Sequence, residues 1–204
     1  MSGDNSTPKR TRDAEAPVAR KRTTDECQFV KVHRAVMPGL FDELWKLREQ
    51  AVCASGVMFG RRWISTTRRT LQYGTSAYTF NGSPAASVTT AFPPVVQQVK
   101  DKTCELVDYA YNFALVTFYD TDGQLGWHAD DEQQIDQRYP IVSWSFGTKA
   151  RFAIKDNGPP LELFDYDLED GDVLIMMPGC QEKMKHCLRK VAGPRVNITL
   201  QMLK

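Results

Sequence analysis

The hydrophobic positions of this chain change their spacing about halfway along it. Apolar side chains recur at three- and four-residue intervals over residues 40–51 and again over 94–110, which is the spacing of amphipathic helices. From residue 113 onward the spacing becomes two, as in strands with one buried face. The predicted strands cover residues 113–119, 141–146, 151–154, 173–177 and 195–202.

Residue pairs that favour turns separate these predicted strands. They include Asp122 with Gly123, Asp170 with Gly171, Pro178 with Gly179 and Gly193 with Pro194. Helices followed by short, regularly spaced strands favour an α+β fold with a barrel-like or jelly-roll sheet. We therefore predict one α+β domain over residues 25–204.

The first 24 residues differ in composition from the rest of the chain. They contain no aromatic residue and too little apolar surface to offset the entropy of ordering, so a disordered tail is predicted. Lys9 and Arg10 form one basic cluster, and Arg20, Lys21 and Arg22 form a second. This spacing is typical of a bipartite nuclear import signal, although a solvated tail without a partner has the same composition. The expected location is nuclear, or otherwise cytoplasmic.

Composition narrows the class of protein further. The chain has 204 residues and a net charge of +1, so binding to a polyanion must rest on local clusters of charge. Its five cysteines include no C-x-x-C pair, which argues against a disulfide framework and a zinc knuckle and favours a reducing compartment. No apolar run has membrane-spanning length, and we expect no membrane partner.

Two of the three histidines suggest a metal site. His128 and Asp130 are two positions apart, and in an extended chain their side chains can project to the same side. His186 follows 56 residues after Asp130. Two imidazoles and one carboxylate form the facial triad of non-heme Fe(II) oxygenases. Each residue alone is also explained as an ordinary surface side chain.

The last predicted strand alternates strictly between polar and apolar residues. Its polar face carries Arg195, Asn197, Thr199 and Gln201. A planar guanidinium close to the candidate metal ligands suits bidentate binding of a carboxylate, such as the far end of a dicarboxylate co-substrate. An amphipathic strand with a solvated polar face gives the same pattern.

Arginines and aromatic residues alternate between Phe59 and Phe80 without an acidic residue. Cations for phosphates and rings for base stacking are typical of a nucleic-acid surface. A basic, partly buried hairpin is the alternative. Acidic residues concentrate instead over residues 162–172, and we expect that stretch to stay away from phosphates.

Taken together, these motifs resemble the AlkB family of 2-oxoglutarate/Fe(II) dioxygenases. The resemblance lies in His128-x-Asp130, His186, and the segments 193–199, 139–147 and 170–177, in the family's order. It is nearest to the nuclear DNA-repair members. The resemblance implies a double-stranded β-helix (jelly roll) with supporting helices and a nucleotide-recognition lid over about residues 56–82. It further implies oxidative removal of N-alkyl groups from nucleic-acid bases, DNA more than RNA, by a monomer that uses Fe(II), 2-oxoglutarate and O2.

The resemblance also assigns roles to individual residues. It implies that His128, Asp130 and His186 bind iron. It implies that 2-oxoglutarate is bound by Tyr119, Thr117, Arg195, Asn197, Thr199 and Gln201. Contact with the nucleic acid is implied for Phe59, Arg68, Tyr78, Phe80 and Glu132, with Phe59 as a finger that fills the gap left by a flipped base.

Two positions depart from the family pattern. Gln201 stands where the family has a second arginine, and Thr117 stands where it has an asparagine. Either co-substrate binding is weaker, by about 1–2 kcal/mol for one lost charge-assisted bond, or another residue supplies the contact. The alternatives are an RNA demethylase of the same family, a weakly catalytic binder of alkylated bases, and a hydroxylase acting on protein or a small molecule.

Overall fold

The computed structural model describes residues 21–22, 27–53, 57–59, 62–64, 68–76, 88–158 and 162–204. Its helices are α1 (Phe41–Lys46), a 3-10 turn (Leu47–Gln50), α2 (Pro94–Val107) and α3 (Cys180–Lys183). Its strands are β1 (Lys21–Arg22), β2 (Val30–His33), β3 (Val52–Cys53), β4 (Val57–Phe59), β5 (Arg62–Ile64), β6 (Arg69–Gly74), β7 (Val88–Thr89), β8 (Phe113–Tyr119), β9 (Leu125–His128), β10 (Ile141–Gly147), β11 (Ala150–Asp156), β12 (Glu162–Leu168), β13 (Asp172–Met176), β14 (Met184–Leu188) and β15 (Arg195–Gln201).

Two sheets form the body of the domain. The larger has the strand order β2-β13-β10-β15-β8-β6-β3, with β7 paired to β6, and the smaller has the order β1-β12-β11-β14-β9. Apolar residues from the facing sides of both sheets form one continuous cluster, so the sheets pack face to face. This arrangement is a jelly roll with supporting helices, which confirms the predicted fold class.

The larger sheet is buried on both of its faces. In β8, Phe113 and Leu115 point towards the smaller sheet, whereas Val116 and Phe118 point towards α1 and α2. All seven residues of β8 are buried as a result. A strand covered on both sides needs apolar residues throughout, which explains why the sequence of β8 shows so little polar alternation.

The helices agree with their predicted positions but are shorter. The predicted helix over 40–51 is α1 followed by a 3-10 turn. The predicted helix over 94–110 ends at Val107, because Asp108 takes a left-handed conformation with φ of 58°. Within the residues described, no helix combines the length and apolar character needed to cross a bilayer.

Each predicted strand is present, and its ends differ from the prediction by at most two residues. The strand predicted over 113–119 begins and ends where predicted. Strand β12 was not predicted, because its acidic residues were considered only as a stretch that stays away from phosphates. Its Asp167 instead contacts Lys149 and Arg151 across the surface of the sheet. Strand β14 was also missed, and His186 lies within it.

Two predicted boundaries are corrected by the structure. Lys21 and Arg22, which we assigned to a disordered tail, form β1 and pair in parallel with β12. The predicted lid over about 56–82 contains the paired strands β4 and β5, but it also contains β6, which lies beside β8 in the larger sheet. Tyr73 of β6 is therefore buried in the core and is not part of a lid.

The turn before β13 is fastened by two carboxylates. Asp170 accepts the backbone N–H of Gly39 and of Gly147. Gly171 has a φ of 79°, and a Cβ there would lie 2.4 Å from the nitrogen of Pro38, so glycine is required. Asp172 accepts the backbone N–H of Ala35 and of Glu169 and pairs with Arg34.

We expect Asp172→Ala to lower the free energy of unfolding by about 2 kcal/mol, because Arg34 and the N–H groups of Ala35 and Glu169 lose a buried, charged acceptor. Burial raises the pKa of Asp172, but its hydrogen bonds and Arg34 outweigh burial and lower it below the ordinary value of 3.8. The carboxylate therefore stabilises the fold above about pH 4 and ceases to do so as the pH falls further. Urea unfolding between pH 7 and 3 measures this. The free energies of unfolding of variant and wild type should converge at low pH, and a difference that stayed constant would contradict this role of Asp172.

Candidate active site

Three polar side chains converge between the two sheets. His128 ends β9, His186 lies in the adjacent strand β14, and the two are directly paired in register. Asp130 lies in the loop that follows β9. The ligand atoms of all three residues lie within 4.8 Å of one another, and the centroids of the two imidazole rings are 4.1 Å apart. The structure thus brings together the three residues that the sequence predicted as metal ligands.

The orientation of the His128 ring is set by its own strand. Its Nδ1 is 2.9 Å from the carbonyl oxygen of Gly126. A carbonyl can only accept, so Nδ1 carries the proton and Nε2 faces Asp130, whose Oδ1 is 3.5 Å away. Burial lowers the pKa of His128, but the hydrogen bond and the charge of Asp130 outweigh it and raise the pKa.

Asp130 is held from the backbone side by two glutamines. Its N–H donates to the side-chain oxygen of Gln181 at 2.9 Å, and its carbonyl accepts from the side chain of Gln137 at 2.7 Å. Burial raises the pKa of the carboxyl, whereas His128 and His186 lower it, and the net direction is down. Asp130 is consequently an anion aimed at both rings.

His186 is the most enclosed member of the cluster. Phe152 stacks on its ring at 5.3 Å between centroids, and Nε2 is 3.8 Å from Oδ2 of Asp130. Burial and the neighbouring His128 lower the pKa of His186 to about 3. A neutral imidazole with a free ring nitrogen is the form that binds metal ions.

These three groups fit one divalent metal ion. Ligand nitrogen and oxygen atoms lie about 2.0–2.2 Å from a first-row metal, and the separations in the cluster allow one ion to touch all three. Two histidines and one carboxylate on one side leave the other coordination positions open, as in non-heme Fe(II) oxygenases.

Arg195 lies across the interior from this cluster, on the larger sheet. Its side chain is 1% exposed, and its guanidinium donates to Ser145 at 2.5 Å and to the carbonyl of Thr148 at 3.0 Å. Its Nε finds no hydrogen-bond partner among the described residues. Burial lowers the pKa of Arg195 to about 10. A buried guanidinium with an unused donor fits a carboxylate ligand.

The other predicted co-substrate residues share the face of Arg195. Tyr119 pairs with Arg195 in register, and Thr117 pairs with Asn197. Asn197 donates to Ser143 and to the carbonyl of Trp144, and it accepts from Thr199. The side chain of Asn197 is therefore occupied within the sheet. The roles of these residues in binding 2-oxoglutarate stay predictions.

Of the five residues predicted to contact nucleic acid, three lie in the part of the chain that the structure describes. Arg68 is half-buried at the start of β6, and Glu132 is half-buried in the loop after Asp130. Phe59 ends β4 and pairs with Arg62, so it lies at one end of a hairpin. Tyr78 and Phe80 lie outside the described residues. Contact of these residues with nucleic acid stays a prediction.

Several residues that shape the site were not predicted. Ser145 supports Arg195, and Gln181 supports Asp130. Ser145 had a signal in the sequence, because Ser143 and Ser145 are the polar positions of an otherwise apolar buried strand. Gln181 had none, because it reaches the site from α3, 51 residues away from Asp130.

A group of cations surrounds Trp127 on the outer face of the smaller sheet, and we call it the Trp127 surface. The amine of Lys155 is 4.8 Å from the centroid of the indole, and the guanidinium of Arg189 is 5.2 Å away. Lys155 is also paired in register with Lys185. These three cations form no ion pair with an acid in the described part of the chain, although like charges placed opposite each other destabilise a sheet.

Comparison with known proteins places these features in a family. The family model described as the 2OG-Fe(II) oxygenase superfamily matches residues 28–200. The chain is similar to the DNA oxidative demethylase ALKBH2 of Mus musculus, with 29% identity over 179 residues, 79% of this chain and 74% of the relative. The same protein of Homo sapiens is 27% identical over 192 residues, 87% of this chain and 73% of the relative.

Two further similarities bear on the fold and on the range of relatives. A solved structure of OsALKBH1 superposes with a TM-score of 0.58 at 19% identity, covering 87% of this chain and all of that one, which supports the fold. The RNA replication protein of Grapevine virus A (isolate Is 151) is 32% identical over 106 residues, 52% of this chain and 6% of the viral protein.

We expect Asp130→Ala to abolish binding of Fe(II) or Mn(II) measured by anaerobic calorimetry, because the two imidazoles that remain lack the anionic ligand. Wild-type protein gains thermal stability on adding the metal, since an ion bound only to the folded state stabilises it, and the variant does not. Asp131→Ala removes an exposed neighbouring carboxylate and serves as the matched control. Metal affinity of Asp130→Ala equal to that of the control would overturn the assignment.

Proposed function

The chain belongs to the 2OG-Fe(II) oxygenase superfamily, and we propose that it removes N-alkyl groups from nucleic-acid bases, with DNA as its main substrate. As a member it is a 2-oxoglutarate- and Fe(II)-dependent dioxygenase. The observation that carries the proposal is the convergence of His128, Asp130 and His186 across the interior from Arg195. Arg195 is buried, and its Nε has no hydrogen-bond partner among the described residues, so it can donate to a carboxylate.

In this proposal the smaller sheet and the loop after β9 bind the metal, and the larger sheet binds the co-substrate. The smaller sheet holds the iron through His128 and His186, with Asp130 supplied by the loop. The larger sheet holds the co-substrate, with Arg195 on its distal carboxylate and Tyr119 beside it. When bound, iron and 2-oxoglutarate would supply the oxidising chemistry: one oxygen atom of O2 would go to the alkyl carbon, which would then leave the base as an aldehyde, and the other would go to 2-oxoglutarate, which would lose CO2. The buried interior keeps bulk water away from this chemistry.

Alkylated nucleic acid is supported as the substrate by two observations. Relatives from Mus musculus and Homo sapiens are DNA oxidative demethylases. The Trp127 surface adds three cations without described acidic partners around Trp127, the neighbour of His128 in β9, and a phosphate backbone can be bound there. The similarity to a viral RNA replication protein favours alkylated RNA as the second candidate substrate.

We expect purified protein with Fe(II), 2-oxoglutarate and O2 to remove methyl groups from methylated oligonucleotides, detected by mass spectrometry. Single-stranded and duplex DNA and RNA of one sequence are compared in the same assay, with Asp130→Ala as the inactive control. Greater turnover on RNA would transfer the proposal to the second candidate. Use of 2-oxoglutarate without loss of any alkyl group from these substrates would overturn the nucleic-acid proposal.

The Trp127 surface gives a second expected result. Replacing Lys155, Lys185 and Arg189 with glutamine weakens binding to duplex DNA, and the slope of log affinity against log salt falls by about 0.9 for each lost phosphate contact. Lys149→Gln is the control, because Lys149 already contacts Asp167 and Glu169. Fluorescence anisotropy over a range of salt concentrations measures the affinity for duplex DNA and its dependence on salt. An unchanged slope in the triple variant would remove the Trp127 surface from the binding site.

Cell location and assembly belong to the same proposal. The basic clusters at Lys9–Arg10 and Arg20–Arg22 support residence in the nucleus, and imaging of a chain that lacks residues 1–22 tests it. We propose that the protein acts as a monomer, which light scattering on the purified chain tests. A dimer in solution, or unchanged nuclear location of the shortened chain, would contradict the respective part.

A further inference from the structure

A second arginine borders the cavity that contains Arg195. In the pairing of β6 with β8, Arg69 lies opposite Phe118 and Thr70 lies opposite Thr117. The same antiparallel register places Arg68, the preceding residue, opposite Tyr119. Tyr119 in turn pairs with Arg195 on its other side. Arg68, Tyr119 and Arg195 therefore form one row across three adjacent strands, on the face that looks into the interior.

The two arginines act on different ends of the cavity. Burial raises the pKa of Tyr119 and the neighbouring Arg68 counteracts that rise, and the charge of Arg68 also lowers the pKa of the metal-ligand residue His128. The charge of Arg195 acts on Tyr119, Asp172 and Asp170. Arg195 donates to the carbonyls of Thr148 and Leu168, close to the turn before β13, whereas Arg68 lies on the other side of β8, the strand that is followed by β9 and His128. Arg68 is half-buried and forms no ion pair with an acid in the described segments.

The residue expected to provide a second carboxylate contact is unsuited to it. Gln201 is 1% exposed and pairs with the aromatic residue Phe113 at the far end of β15. Its side-chain oxygen has no hydrogen-bond partner among the described residues. Gln201 carries no charge, and five residues of β15 separate it from Arg195 in the row that contains Arg195 and Tyr119. A bound metal ion would neutralise part of the charge of 2-oxoglutarate near the cluster, and Arg68 is a second cation that the row places beside Tyr119, on the side opposite Arg195.

We propose that Arg68, with the hydroxyl of Tyr119, binds the carboxylate of 2-oxoglutarate nearer to the metal cluster, while Arg195 binds the distal one. This assigns Arg68 to the co-substrate, and not to the nucleic acid as the sequence resemblance implied. It also accounts for Gln201, because the positive charge absent from β15 is supplied by β6. The inference rests on the use of 2-oxoglutarate stated under the proposed function.

Binding measurements without turnover test the assignment. Protein loaded with Mn(II) is titrated with 2-oxoglutarate and, separately, with 2-oxobutyrate, which keeps the keto acid but lacks the distal carboxylate. We expect Arg68→Gln to weaken binding of both compounds by a similar factor of about ten or more. Arg195→Gln weakens binding of 2-oxoglutarate and leaves 2-oxobutyrate unchanged. Calorimetry gives both dissociation constants.

Arg69→Gln is the matched control. It removes the same charge from the neighbouring position of β6, whose partner Phe118 faces the helices on the other side of the sheet. We expect this variant to bind both compounds as the wild type does. Arg68→Lys keeps the charge but not the planar fork, so its affinity is expected between those of wild type and Arg68→Gln. If circular dichroism shows that Arg68→Gln is not folded, Arg68→Lys replaces it in the test.

The possible outcomes separate this inference from the proposed function. The inference is overturned if Arg68→Gln binds 2-oxoglutarate with the affinity of the wild type. If Arg68→Gln does not fold, the same result with Arg68→Lys overturns it. If that variant then loses affinity for a methylated oligonucleotide, Arg68 belongs to the nucleic-acid site instead. Failure of the wild type to bind 2-oxoglutarate overturns the inference together with the co-substrate use on which it rests. Normal co-substrate binding without demethylation affects only the nucleic-acid proposal.

Discussion

Antiparallel pairing between β9 and β14 places His128 opposite His186, and the rest of the site is arranged around that register. Side chains alternate between the two faces of a strand, so a slip of one residue would turn one imidazole to the outside. Strand β9 is short and lies at the edge of its sheet, where such slips are least resisted. Trp127, held between Lys155 and Arg189 on the opposite face, adds contacts that fix this strand.

The larger sheet serves two purposes because its two faces differ. Its outer face packs on α1 and α2 and contains only apolar positions of β15, such as Val196 and Ile198. Its inner face combines apolar residues with the polar row around Tyr119 and Arg195. The apolar outer face stabilises the sheet without involving the polar groups. Those groups are consequently held in place by a framework that does not depend on them.

The fold class and the metal cluster could be predicted from the sequence because both leave a pattern in it. The two-residue spacing after residue 113 predicted the strands, most clearly β15 with its strict alternation, and His128-x-Asp130 with His186 suggested the cluster, which the resemblance to the AlkB family then supported. The supporting contacts could not be predicted, because Gln181 and Ser145 reach the site from elements distant in sequence. Arg68 was predicted as a functional residue but placed in a lid, since nothing in the sequence shows that β6 pairs with β8. The acidic residues of β12 gave no sign of a strand, because Lys149 and Arg151, which pair with Asp167, lie at and just before the start of β11.

The burial of Arg195 has a thermodynamic consequence. The folded chain holds a guanidinium away from water with its Nε unpaired in the described structure, at a cost in free energy that a carboxylate bound there, as we propose, would offset. Folding and co-substrate binding are then linked equilibria. At concentrations above the dissociation constant, each tenfold rise in 2-oxoglutarate adds about 1.4 kcal/mol to the free energy of unfolding. The fraction of chains exposed to proteolysis therefore falls as the supply of this metabolite rises.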